Sequence, residues 1–149
     1  MKVYVIGSLA NDEIPKVANY LRARGYDAFD SWWSAGPLAD KHWHEHSLLK
    51  GQTYREALKD YAAQHVYNFD KNHLDTADAV VLVYPAGKSG HLELGYGLGK
   101  GKPGFILMKE EPERWDVMIA GATVVESHDE LDTALRLLRQ PAARLRGTG

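Results

Sequence analysis

The stretch AVVLVYPAGKSGHLELGYGLGKGKPGFILM, residues 79–108, decides the fold. It opens on an unbroken apolar run, Ala79–Val83, rich in valine, which predicts a buried strand. A polar turn, Pro85–His91, follows. HLELGYGLGKG predicts a helix that starts after Ser89 or Gly90, and PGFILM predicts the next strand. Strand, helix, strand with continuous apolar strands describes a crossover unit. Its strands are parallel and covered on both faces.

The same alternation extends outward. KVYVIG, residues 2–7, predicts the first strand, closed by Gly7. Gly7, Ser8 and Asn11 form a strand-to-helix turn, Asp12 is placed to cap, and Pro15 falls early in the helix. Ile14, Val17, Ala18 and Leu21 recur at helical spacing, and Gly25 ends the segment. YDAFD predicts a second strand, and SWWSAGPLAD, residues 31–40, a loop. From Lys41 to about Val66 the chain predicts helix, weakened at Gly51, with Tyr54, Leu58, Tyr61, Ala62 and His65 near one face. DKNHLDTAD, residues 70–78, predicts a short separate helix. GATVVES suggests a fifth strand, DELDTALRLLRQ a closing helix, and the Arg- and Gly-rich tail a frayed end. The expectation is one domain, 1–149: an α/β, flavodoxin-like or Rossmann-like three-layer sandwich with a five-stranded, mostly parallel sheet.

Composition narrows the function. The chain has 149 residues, 44% apolar and 26% charged, with net charge -2, so no basic field draws nucleic acid polymers. Cysteine is absent, which removes thiolate chemistry, disulfides and Cys-based zinc sites. The start lacks a signal-peptide core and no run reaches transmembrane length, so the expectation is a cytoplasmic protein. His42, His44 and His46 alternate in KHWHEHS, which is not HExxH and lacks an obvious further ligand. No metal is expected. GSLAND, residues 7–12, is too poor in glycine for a dinucleotide fingerprint, and GLGKGK lacks Walker spacing.

In this fold ligands bind beyond the carboxyl ends of the strands, where strand order reverses. The turns Gly7–Asn11, Asp30–Asp40 and Pro85–His91 should reach that edge. Glu93 lies near the start of the helix after the central strand. Its position there is expected to depress its pKa and keep it ionised. It is either an ordinary helical glutamate or a nucleophile. Asp70 is either a helix cap or the second carboxylate that glycosidic chemistry requires. Trp32 and Trp33 either pack under their loop or line a site. His91 either contacts a ligand or only occupies the first helical turn. Gly87 and Gly90 permit close approach by a ligand, and packing explains the helix glycines equally well.

Three pieces together resemble the nucleoside 2-deoxyribosyltransferase family, including its deoxynucleoside 5'-monophosphate N-glycosidase branch. They are VYVIGS (3–8), FDKNHLDTADAVVLVYP (69–85) and GHLELGYGLGKGKPGFIL (90–107). The resemblance implies that Glu93 is the nucleophile and that Asp70, eight residues before Asp78, protonates the leaving base or assists water. It implies that Gly7 and Ser8 shape the floor near the sugar and that Ser89, Gly90 and His91 lie near its 5' end. Gly87 stands where transferases of the family often carry an aspartate and the phosphate-preferring branch a serine. GSLAND lacks that branch's arginine. Trp32 and Trp33 are candidates to stack on a base. The implied substrate is a 2'-deoxyribonucleoside or its 5'-monophosphate, with no cofactor, and the implied assembly a homodimer or higher homo-oligomer. The alternatives are a nucleotide-binding sensor on the same fold and a hydrolase of another N-glycoside.

Overall fold

The computed structural model describes residues 1–139. The frayed-tail expectation falls on residues 140–149, outside the described residues. The strands are β1 (Lys2–Ile6), β2 (Asp27–Phe29), β3 (Ala79–Val83), β4 (Gly104–Leu107) and β5 (Thr123–Val125). They form one sheet of order β2-β1-β3-β4-β5, with every neighbouring pair parallel. Order reverses between β1 and β3, the point where such a sheet opens a crevice for a ligand.

The pleat divides the core. Val3, Val5, Val81 and Val83 pack with α1 (Glu13–Ala23) and α6 (His128–Leu138). Tyr4, Ile6, Val80 and Leu82 pack on the other face with α4 (Tyr61–Thr76) and α5 (Lys88–Gly99). A fully buried aliphatic side chain contributes roughly 1.5–3 kcal/mol, so a one-residue slip of β1 would be costly. Register therefore fixes Tyr4 on the α4–α5 side, opposite Val80 of β3 and Phe29 of β2. Gly97 lets α5 lie close on the sheet: a Cβ there would stand 3.0 Å and 3.1 Å from the Val80 methyls.

Several sequence expectations change. The segment 41–66 is not one helix. It comprises α2 (Ala39–Leu49), α3 (Tyr54–Ala57) and the start of α4. Gly51 takes a φ of 71° between the first two, Thr53 and Glu56 form a capping box on α3, and Asp60 caps α4. Tyr54, Leu58, Tyr61 and His65 thus span two helices and the break between them, not one face. The helix drawn over 70–78 is the end of α4. No proline or glycine lies between 61 and 76 to interrupt it, so Asp70 sits mid-helix and caps nothing. Asn11, not Asp12, supplies the side-chain bond at α1, accepting from the Glu13 amide at 3.0 Å. The tryptophan loop contains a 3-10 turn, Ser31–Ala35. No helix among the described residues is long and apolar enough to cross a membrane.

Candidate active site

β1 carries Tyr4, α4 carries Asp70 and α5 carries Glu93, and all three meet on one face of the sheet beside the strand-order reversal. As crossover helices on the same face, α4 and α5 run side by side in the same direction. Asp70 and Glu93 therefore lie near each other: the Asp70 charge reaches Glu93, and both charges reach Tyr4.

α5 begins two or three residues earlier than the sequence indicated. Its N-cap is Gly87, and Ser89 makes no capping bond. Glu93 is the sixth residue of the helix, in its second turn. The helix end does not dominate its ionisation. Burial pushes Glu93 up to about 7, the Asp70 charge adds to that, and the Tyr4 hydroxyl opposes it. This corrects the expectation of a depressed, permanently ionised carboxylate: the loss of water outweighs the dipole beyond the first turn. Burial likewise raises Asp70 to about 6. Tyr4 is held well above its usual range, by burial first and then by the charges of Glu93 and Asp70, so it stays a neutral donor. Its hydroxyl and Glu93 Oε2 are buried, and neither completes a well-formed hydrogen bond, although the phenol lies near enough to favour the Glu93 anion. Two polar atoms are thus left unsatisfied between β1 and α5, a costly arrangement that a bound polar ligand would relieve.

The strain has a sign with pH. Glu93 binds its proton more tightly folded than unfolded, so stability declines as pH rises from about 4.5 through about 7. Glu93→Gln removes that decline. The expected gain is about 3 kcal/mol at pH 8, or roughly 5–10 °C in Tm for a chain of this size. Below pH 4.5 it should vanish. Thermal melts across this range provide the check: equal pH slopes in the two proteins would refute the assignment.

The other candidate residues fall around this centre unequally. Gly7 ends β1, and a Cβ there would meet Ile14 Cδ1 at 2.3 Å, so its bareness serves the packing of α1. Ser8 turns the chain, its Oγ accepting from the Ala10 amide at 3.2 Å. Gly90 is buried against Ile6 and Leu82, whereas a Cβ on Gly87 would meet open space. Ser89 is exposed and His91 half-buried in the first turns of α5. Trp32 donates its indole N–H to the Val5 carbonyl at 2.8 Å and touches both core layers. Trp33 donates to the Asn11 carbonyl at 3.1 Å and packs in the opposite layer from Glu93. Both indoles therefore clamp the 3-10 turn onto β1 and the α1 entry. Asp78 accepts from the Lys2 amide at 2.7 Å and anchors β1.

Tyr4 is the residue that sequence reasoning missed. Its signal was present: a lone hydroxyl inside a buried β-branched strand requires a partner. A cavity of ≈ 460 Å³ opens at the ends of β3 and β4, lined by Val83, Tyr84, Leu107 and Lys109 among others, and a cleft of ≈ 390 Å³ lies between α2 and α3. Neither is lined by Asp70 or Glu93. Among the described residues no group of three His, Asp or Glu side chains is placed to hold a metal.

No family model and no curated protein matches the sequence. Solved structures do. A 2-deoxyribosyltransferase from Bacillus psychrosaccharolyticus superposes with a TM-score of 0.58 at 19% identity, over 88% of this chain and 90% of that one. The chain has the fold of the nucleoside 2-deoxyribosyltransferases. A Clostridium botulinum CMP N-glycosidase matches at 0.55 and 13% identity, over 91% and 99% of the two chains. A conserved protein of Enterococcus faecalis V583 matches at 0.57 and 14% identity, over 88% and 94%. The shared fold accounts for the sheet order.

Proposed function

We propose that the protein cleaves the N-glycosidic bond of a 2'-deoxyribonucleoside or its 5'-monophosphate and passes the sugar to another base or to water. The observation that carries this reading is the pair of half-buried carboxyls, Glu93 of α5 and Asp70 of α4, set beside Tyr4 on one face of the sheet, with burial pushing Glu93 up to about 7 and Asp70 to about 6. The fold shared with an N-glycosidase and a deoxyribosyltransferase agrees with it.

In the first step a Glu93 oxygen bonds to C1' as the bond from C1' to the base nitrogen breaks. That electron pair leaves on the base, which takes the proton from Asp70. A deoxyribosyl ester of Glu93 results. In the second step water or an incoming base attacks C1', Glu93 departs as carboxylate, and Asp70 recovers a proton. Tyr4 donates its O–H toward Glu93 and steadies the anion. Gly7 and Ser8 form the floor near the sugar. Gly87, Ser89, Gly90 and His91 surround its 5' end, and the exposed first turn of α5 supplies amides for a phosphate. Trp32 and Trp33 act on the site by holding the wall behind it, and an edge of Trp32 is available to the base. A carboxylate pair needs no metal or cofactor for this chemistry.

We also propose that the protein is a homo-oligomer. Residues 61–69 of α4 contain no Asp, Glu, Lys or Arg, and Tyr61, Val66, Tyr67 and Phe69 are exposed. Aromatic enrichment with charge depletion marks interface cores. Asp70 follows this surface directly, so a second copy seated there would shield the carboxyl pair. Sedimentation should show a species larger than one chain, and a monomer at working concentrations would overturn this point. The protein acts on small cytoplasmic substrates.

A panel of deoxynucleosides, ribonucleosides and their 5'-monophosphates, with and without an acceptor base, tests the function. Free base without acceptor means hydrolysis, and exchanged base means transfer. Release from ribonucleotides alone would replace the deoxyribosyl reading. Binding without any product would leave a sensor in its place.

A further inference from the structure

One turn and more below the carboxyl pair, a second set of side chains joins the same two helices. Tyr96 of α5 donates its hydroxyl to Asp75 Oδ1 of α4. Lys71 holds the other Asp75 oxygen at 3.0 Å, and Lys71 and Lys100 each place Nζ 5.6 Å from the centre of the Tyr96 ring. Lys102 fastens the end of α4 by donating to the Asp75 and Ala77 carbonyls at 2.9 Å and 2.6 Å. Tyr96 lies three residues after Glu93, so both occupy one stripe of α5. Asp75 lies five residues after Asp70, about 7.5 Å further along α4. Near Asp70 and Glu93 themselves no side-chain bond crosses between the helices among the described residues.

We infer that Tyr96 and Asp75 are positioning residues: their bond sets the spacing of α4 and α5 and thereby the distance between the carboxyls of Asp70 and Glu93. The inference rests on the catalytic reading of that pair. A nucleophile and an acid that must act on two ends of one bond tolerate little change in spacing, and a misplacement of about 1 Å costs up to about a hundredfold. The bond is exposed, so it trims the gap and does not hold the fold together.

The groups facing Glu93 are Tyr4 from β1 and Asp70 from α4; Lys71, Asp75 and Lys100 ring Tyr96. Tyr96→Phe alters none of these charges and keeps the ring beneath the lysines. It is expected to lower kcat about five- to tenfold with KM within about twofold, and to move the alkaline limb of the pH–rate profile to lower pH, because a wider gap weakens the repulsion that opposes the second ionisation of the pair. Asp75→Asn keeps an oxygen for the tyrosine and should retain kcat within about twofold. Asp75→Ala should match Tyr96→Phe, and the double variant Tyr96→Phe, Asp75→Ala should be no worse than Asp75→Ala. A merely structural bond would lower the melting temperature without moving the limb. Glu93→Ala runs alongside. If it is inactive while Tyr96→Phe keeps the wild-type kcat and limb, the clamp is refuted and the catalytic reading survives. If Glu93→Ala stays active, both fall. Should Tyr96→Phe fail to fold, the contrast of Asp75→Ala with Asp75→Asn decides.

Discussion

Glu93→Ala is expected to reduce turnover of the best deoxyribosyl substrate by a factor on the order of 10³ or more, with the fold intact. Removing the group that bonds to C1' leaves only positioning and the acid to act, and neither supplies a covalent partner. Folding should not suffer. Glu93 contributes a buried oxygen without a partner and a carboxyl that must be neutralised or paid for near neutral pH. Alanine is the better helix former and removes both costs. The measurements are initial rates, a thermal melt, and intact mass after acid quench during turnover. Wild type should show the mass of one deoxyribosyl group, and the variant none. A folded variant with near-wild-type rates would remove Glu93 from the mechanism. A missing adduct in an active wild type, whose variant is inactive, would instead turn Glu93 into a base that activates water.

Much of the architecture was written in the strands. Val3, Val5, Val80 and Leu82 sit in continuous apolar runs that only a doubly covered parallel sheet explains. The helical stretch before β3 was harder to read. Segments 41–49, 54–57 and 61–76 share similar composition, and their breaks depend on caps at Thr53 and Asp60 whose side chains look like ordinary surface residues in sequence. The family resemblance singled out Asp70 by its spacing to Asp78, and the other reading, a helix cap, is excluded by its place in the middle of α4. Glu93 was singled out by its place after the central strand, yet its ionisation was misjudged. Burial against Tyr4 and Asp70 is a tertiary fact that no local pattern carries. Trp32 and Trp33 illustrate the converse: conspicuous in sequence, they spend their N–H groups on the Val5 and Asn11 carbonyls. Tyr96 and Asp75 left no trace at all, because the bond between them depends on two helices lying side by side.

Asp70→Asn should cost about 10²–10³ in kcat on ordinary deoxyribosyl substrates, and the loss should depend on the leaving base. The variant keeps shape and a hydrogen-bond donor but cannot give up an acidic proton. In wild type the active form of the pair carries one proton. Activity needs Glu93 ionised and Asp70 protonated; burial raises Glu93 further than Asp70, so that form is the minor one-proton state of the pair, and kcat/KM is bell-shaped with limbs near pH 6 and 7 that belong to the pair and not to either residue. With asparagine at position 70 the alkaline limb disappears, since nothing is left to deprotonate there. The single limb that remains reports Glu93 alone and lies below about 7, because the Asp70 charge is one of the causes that hold Glu93 up. A substrate whose base departs readily as an anion needs no proton from the enzyme and should lose less than about tenfold. An alkaline limb that survived the substitution would place the proton donor elsewhere. An equal loss on both kinds of base would mean that Asp70 acts by orienting the substrate and not by giving a proton.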